Sequence, residues 1–283
     1  MKGLLDIRDH DRNIFDTRYV YPVVSRRAGG VSVGINLNVN NACNWRCVYC
    51  QVPKLVRGKA ADIDLKVLRL ELEALLSNIK TGSFFEKFVS PEFRRLNDVA
   101  LSGNGEPTSS LQLPDVLDII QETKDSILND PIVKTVLITN GSLLHSGKNP
   151  GMLRKLSNQN GEVWFKLDRV GREGRKQVND INLSLDRIKK NLSISTKFCT
   201  TWIQACFFSL DGAPPDNIER ERYMNFLRYC LNNSIYLAGV MIYGPSRKSY
   251  QPEANRISGL PRGWIESFCA EIRSLGIQAK FNP

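Results

Sequence analysis

A chain of 283 residues, 42% of them apolar, can bury one large core or two small ones, and no apolar run in it is long enough to cross a membrane as a helix. Its formal net charge of +10 favours anionic partners and carries no information about fold. Seven cysteines, an odd number, with Cys199, Cys206, Cys230 and Cys269 scattered among apolar residues, argue against a disulfide framework and for a reducing cytoplasm.

The opening MKGLLDIRDHDRNIFD lacks the apolar segment of a secretory signal. Residues 1–30, Arg26 and Arg27 included, are assigned only as a flank packing on the domain that follows, 31–283. In chain order, VSVGINLNVN predicts a first strand over 31–40, with Val31, Val33, Ile35, Leu37 and Val39 on one face and Ser32, Gly34, Asn36, Asn38 and Asn40 on the other. Leu65, Leu68, Leu72, Leu75, Leu76 and Ile79 form the apolar stripe of a helix over 64–80, capped by Asp62 or Asp64. NDVALSG predicts the next strand, followed by a helix over 113–128. IVKTVLITNG and EVWFKLD are further strands, each with a helix after it, near 151–157 and 181–191. FCTTWIQACFFSL and SIYLAGVMIYG are the last long strands, with helices at 216–232 and 261–275, before the short run GIQAKF.

Strands and helices alternating in this way predict about six βα units and a parallel sheet with right-handed crossovers. Polar side chains on one face of the first strand suit a lumen that holds a site, so the expected fold is α/β, a partial (β/α)6 barrel with outer helices.

NACNWRCVYCQVP follows that first strand and spaces Cys43, Cys47 and Cys50 as CxxxCxxC. Its place after a strand puts it at the face where such barrels carry their sites. Structural zinc takes four protein ligands, and the two histidines, His10 and His145, are far from the loop in sequence. Three thiols with one open coordination position fit a four-iron cluster. The rival reading is a non-catalytic zinc or iron–sulfur protein that binds nucleic acid through its basic surface.

CNWRCVYC resembles the CxxxCxΦC signature of the radical S-adenosylmethionine (radical SAM) superfamily, with Tyr49 as the aromatic Φ. The resemblance implies one [4Fe–4S] cluster on Cys43, Cys47 and Cys50. Its open iron would chelate the amino and carboxylate groups of S-adenosylmethionine. An electron from a donor of flavodoxin or ferredoxin type would then cleave that cofactor to a 5′-deoxyadenosyl radical, which abstracts hydrogen from substrate.

Further motifs carry the resemblance along the chain. In LSGNGEPT, Gly103, Asn104, Gly105 and Glu106 resemble the family's GGE motif, which contacts the methionine part of the cofactor, although Asn104 departs from it. ITNGSLL offers Thr139 and Asn140 at the equivalent end of the next strand. VWFKLD puts Trp164, Lys166 and Asp168 on one face; Lys166 and Asp168 form a pair at the rim or meet the ribose or carboxylate of the cofactor, and Tyr49 lies near the adenine. FFSLDG and MIYGPSR add Asp211, Tyr243 and Arg247, and the latter end resembles a bacterial group related to wyosine-type iron–sulfur oxidoreductases.

Basic residues gather after the strands: Lys54, Arg57 and Lys59; Arg169, Arg172, Arg175 and Lys176; Arg247 and Lys248. They form either a solvated rim or a landing surface. The second reading makes Arg57, Arg172, Arg175 and Arg247 substrate candidates and the substrate anionic, with RNA or a nucleotide ahead of a peptide or small metabolite. SFFEKFVSPEFRR, on the opposite face, is read as packing. The four scattered cysteines are read as buried thiols and not as a second cluster.

Overall fold

A computed structural model describes Leu5 and residues 16–25, 29–147 and 149–282. His10, Arg26 and Arg27 lie outside the described residues. Eight strands make one curled sheet in simple sequence order: β1 (Val20–Ser25), β2 (Gly30–Ile35), β3 (Leu96–Leu101), β4 (Lys134–Thr139), β5 (Gly161–Lys166), β6 (Thr200–Cys206), β7 (Gly239–Tyr243) and β8 (Ala279–Asn282). β1 pairs antiparallel with β2, and all later pairs are parallel. β1 and β8 are the two edges of the sheet, so the barrel stays open between them. This is the partial barrel expected from the alternation of elements.

The helices are α1 (Leu65–Lys80), α2 (Ser83–Phe88), α3 (Leu113–Thr123), α4 (Asn149–Ser157), α5 (Arg172–Asn179), α6 (Leu185–Phe198), α7 (Asn217–Asn232) and α8 (Arg262–Ser274). Apart from that of α5, which packs against the cysteine loop, their apolar stripes cover the convex face. On α1, Leu68, Leu72, Leu75, Leu76 and Ile79 are buried, and they join Val31, Val33 and Ile35 of β2 with Val99 and Leu101 of β3 in the main core. Alternation sends the intervening residues inward, where Ala100, Val136, Trp164 and Met241 form a second, smaller cluster on the concave face. Sheet and helices thus bury one side, and the other is left to build a site.

Several expectations are corrected. The first strand stops at Ile35. Asn36 Oδ1 accepts from Asn38 N–H at 3.0 Å, and Asn38 Nδ2 donates to Ala42 O at 2.9 Å. Asparagines that bond nearby backbone make turns in preference to extending a ladder, which ends the strand despite its alternating pattern. The helix expected at 181–191 is α6, which starts at Leu185 after Ser184, whose side chain caps Arg187 N–H, and runs on to Phe198; α5, just before it, was not foreseen and ends ahead of Asp180, in the left-handed region (φ 51°). α3 passes at Thr123 into one π-helical turn, Lys124–Leu128. FCTTWIQACFFSL keeps only Thr200–Cys206 in the sheet, and Ser209–Leu210 pairs instead with Ile257–Ser258. Within the flank, β1 was not foreseen: Glu71 of α1 accepts the backbone N–H groups of Arg18, Tyr19 and Val20 and fixes the approach to that strand.

Asp64 is the cap of α1, accepting from the N–H groups of Lys66 and Val67. Asp64→Ala is expected to lower unfolding free energy by about 1 kcal/mol in a denaturant titration; an unchanged midpoint would remove the cap from the account.

Candidate active site

A cavity of about 310 Å³ opens on the concave side toward the C-terminal ends of the parallel strands. Cys43, Cys47 and Cys50 all line it, each half-buried and none in a disulfide. The loop that carries them has almost no regular structure, apart from a two-residue ladder of Ala42–Cys43 with Val56–Arg57. It is held instead by bonds from the neighbouring loops. Asn104 Nδ2 donates to Asn41 Oδ1 at 2.6 Å, Asn140 Nδ2 to Asn44 Oδ1 at 2.8 Å, and Asn44 Nδ2 to Ser142 Oγ at 2.8 Å. From α5, Val178 O accepts from Val48 N–H, and Asn179 Nδ2 donates to Cys47 Sγ at 3.2 Å. Ser249 Oγ donates to the carbonyls of Val48 and Cys50, and Glu253 receives both Nη groups of Arg46 at 2.9 and 3.0 Å.

Two glycines allow the GNGE turn to pass directly under this loop. A Cβ on Gly105 would lie 2.1 Å from Ala42 O; one on Gly103, whose φ is +155°, would lie 2.3 Å from Asn36 Oδ1. Glu106 is buried, and its carboxylate accepts from Thr108 N–H (3.1 Å) and Oγ1 (2.5 Å), Thr139 Oγ1 (2.5 Å) and Asn140 N–H (2.6 Å). Burial pushes its pKa up, against those hydrogen bonds. Glu106 therefore ties the loop after β3 to the loop after β4 while its residue lines the cavity.

Lys166 and Asp168 do pair, at 3.7 Å, inside a larger network. Lys166 Nζ donates to the hydroxyls of Tyr49 (2.8 Å) and Tyr243 (2.7 Å). Tyr49 donates to Asp168 Oδ2, which also accepts from Asn179 Nδ2 at 2.7 Å. Burial is the largest single influence and lowers the Lys166 ammonium, but Asp168, Tyr243 and the thiols of Cys47 and Cys206 together outweigh it and hold that ammonium above its usual range. Lys166 and Tyr49 line the cavity; Asp168 is buried behind them.

The predicted basic rim is mostly committed elsewhere. Arg57 binds Asp180 Oδ2 at 2.7 Å and Asn44 O at 2.5 Å, and Lys176 binds the same carboxylate, which is held down to about 2, chiefly by the hydrogen bond from Lys176. Arg169 is buried between the rings of Phe207 and Phe208, and Arg175 is buried and donates to Val170 O. Arg172 is exposed and bonds Asn182. Of the four substrate candidates, Arg247 lines the cavity and Arg57, Arg172 and Arg175 do not. Asp211 pairs with Arg256 on the surface.

Sequence reasoning missed Cys206. It lines the cavity, whereas Cys199, Cys230 and Cys269 sit in the main core as expected. The available signal was its parity with Trp202 and Gln204 on one face of β6. Asn44, Asn179 and Ser249 were also missed, because a lone polar residue in a loop announces nothing about its partner.

The donor set fits a polynuclear cluster. Among the described residues no three His, Cys, Asp or Glu side chains converge on a single-ion site. Yet the three thiols share one cavity, as they must when each binds a different iron. Burial pushes the Cys43 thiol up to about 12 and Cys47 to about 11, so thiolates here require a cationic partner of the strength a metal provides.

A model of the radical SAM superfamily matches residues 37–227, the span that holds the cysteine loop, GNGE, Asn140, Lys166 and Asp168. The chain belongs to the radical SAM superfamily. It is an enzyme of that class, and the family binds a [4Fe–4S] cluster and S-adenosylmethionine. The zinc reading is thereby set aside. Over 173 residues the chain is 30% identical to a protein of Helicobacter pylori called UPF0026, covering 59% of this chain and 49% of that one. The chain thus spans about half the length of the curated relatives it matches. Among solved structures it resembles SuiB of Streptococcus suis bound to precursor peptide SuiA (15% identity, 90% of this chain and 48% of that one, TM-score 0.59). It also resembles TYW1 with a lysine–pyruvate adduct bound (14%, 95% and 80%, TM-score 0.55). A radical SAM methyltransferase from Sphaerobacter thermophilus is comparable (12%, 89% and 66%, TM-score 0.56). At these identities the likeness shows a shared fold. Among the described residues no helix is long and apolar enough to cross a membrane.

Gly105→Ala forces Cβ against Ala42 O beside the first thiol. The variant is expected to keep its far-UV circular dichroism and to lose most of its iron after reconstitution; wild-type iron content would show that the close approach is not needed.

Proposed function

We propose that Cys43, Cys47 and Cys50 hold one [4Fe–4S] cluster at the mouth of the half-barrel, and that S-adenosylmethionine lies against Gly103–Glu106, Asn140, Tyr49 and Lys166. The observation that carries this reading is the convergence of the three thiols, the glycine turn and Lys166 on one cavity. When bound, the two cofactors supply one-electron chemistry, reductive cleavage of the sulfonium followed by hydrogen abstraction from substrate.

The chain's own residues do the positioning. Gly103 and Gly105 bring backbone close enough to contact a ligand directly. Glu106 fixes Thr139 and the Asn140 N–H, so Asn140 faces the cavity from a preset turn. Tyr49 and Lys166 are locked to each other and to Asp168, which acts through them and not by contact. Lys166 stays cationic in its buried setting and complements a carboxylate. Trp164, clustered with buried Met241, gives the deep part of the cavity an aromatic wall.

An external donor of flavodoxin or ferredoxin type delivers the electron. The substrate is anionic, with RNA or a nucleotide ahead of a peptide or small metabolite. The net charge of +10 supports this, as does the position of Arg247 in the cavity wall beside exposed Lys248. The test is anaerobic: reduce the reconstituted enzyme with dithionite, add S-adenosylmethionine, and measure 5′-deoxyadenosine by mass. Release is expected, rising when RNA is added and falling steeply with salt. No nucleoside in any condition would contradict the activity; a rise with a peptide digest and none with RNA would contradict the substrate class.

A further inference from the structure

The cavity extends beyond the part that the cysteine loop covers. At its upper end lie the thiols, the glycine turn and the two cationic residues that line it, Lys166, whose ammonium is bound to two tyrosines, and Arg247 in the loop after β7. Deeper on the concave face the wall is formed by Ser32, Asp98, Ala100, Trp164 and Gln204. The cation nearest this deep lobe is Lys166, in register with Gln204, and its ammonium is already bound to the hydroxyls of Tyr49 and Tyr243.

Gln204 is the feature that the site described above does not use. It lies one side-chain layer below Cys206 on the inward face of β6, in register with Lys166 on one side and Met241 on the other. The residue is 1% exposed, lines the cavity, and its Nε2 has no hydrogen-bond partner among the described residues. A buried primary amide that offers two hydrogens to nothing is rare, because the water it gave up is not replaced. Met241 is its neighbour in the ladder, and the Trp164 indole lines the same cavity one side-chain layer deeper on the adjoining strand. The lobe thus combines a flat aromatic surface with one unsatisfied donor, and its one charged wall residue, Asp98, is acidic.

We propose that this lobe receives the reacting part of the substrate through a neutral, planar amide. The amide's carbonyl oxygen accepts from Gln204 Nε2, and its flat face lies on Trp164. A carboxylate or phosphate would satisfy the donor but would enter a lobe whose one charged wall residue, Asp98, is acidic, while Lys166 is already engaged by Asp168 and two tyrosines, so the anionic part of the substrate stays at the upper end near Arg247. An amide on a planar body suits both partners, since stacking on an aromatic ring tolerates any flat group and the donor selects the oxygen. The chemistry is shared by the lactam ring of a nucleoside and by an open-chain amide. This inference rests on the radical enzyme reading, because only then is the cavity shared by cofactor and substrate.

The test uses reconstituted, unreduced enzyme with S-adenosylmethionine present, titrated by saturation-transfer NMR with uridine, N-methylacetamide and acetate as probes. One of the two amide probes is expected to bind and acetate to compete poorly; which amide binds identifies the source. Gln204→Leu, of similar shape, and Gln204→Glu, which has no donor, should each weaken that probe about tenfold, the worth of one hydrogen bond. Equilibrium dialysis should show unchanged S-adenosylmethionine affinity in Gln204→Leu, with iron content confirming an intact fold. Absence of amide binding, equal competition by acetate, or wild-type probe affinity in Gln204→Leu overturns the proposal. So does a loss of S-adenosylmethionine affinity in that variant, which would assign the amide to the cofactor. Wild-type enzyme that holds neither iron nor S-adenosylmethionine would instead fail the reading on which the proposal stands.

Discussion

A loop with almost no secondary structure has to present three thiols to one cavity in fixed relation, and most of the site follows from that constraint. A helix or strand would fix side-chain positions through its own ladder. The segment around Cys43, Cys47 and Cys50 has almost none, so its shape is set from outside by Asn104, Asn140, Asn179, Ser249 and Glu253, reaching across from five other parts of the chain. Any one of these bonds contributes about 1 kcal/mol net. Together they leave the loop one conformation, and the glycines of GNGE are there because the turn beneath it has no room for a side chain.

The same constraint organises the charges. Asp168 is buried, and it is tolerated because Tyr49, Asn179, the Cys206 N–H and Lys166 all satisfy it. Two of those partners, Tyr49 and Lys166, line the cavity and one, Asn179, touches Cys47, so the network joins the thiol loop to the wall of the barrel. Deleting one charge of a buried pair leaves the other uncompensated, a cost of about 3–5 kcal/mol. Stability and site geometry are therefore coupled here. The helices on the convex face supply the burial that supports this arrangement, and the open side between β1 and β8 leaves the concave face accessible.

Much of this was legible in the sequence. The alternation of βα units, the stripe and cap of α1 and the CxxxCxxC loop are local patterns, and local patterns survive folding. What misled was also specific. Asn36 and Asn38 continued the alternation of β2, but their side chains bond backbone and end the strand. Arg57, Arg169 and Arg175 read as a basic rim because counting charges after a strand ignores their partners, which are Asp180, two phenylalanine rings and a carbonyl. β1 could not be read because its anchor, Glu71, lies on α1, far along the chain. Gln204 and Cys206 were visible as an alternating pair on β6, but only the curl of the sheet brings that face to the cysteines.

The most direct measurement is iron and sulfide per chain after anaerobic reconstitution, in the wild type and in single alanine variants of every cysteine. The account predicts about four irons in the wild type, a large loss in Cys43→Ala, Cys47→Ala and Cys50→Ala, and wild-type content in Cys199→Ala, Cys206→Ala, Cys230→Ala and Cys269→Ala. Full iron content without any one of the first three thiols, or zinc in place of iron, would contradict it.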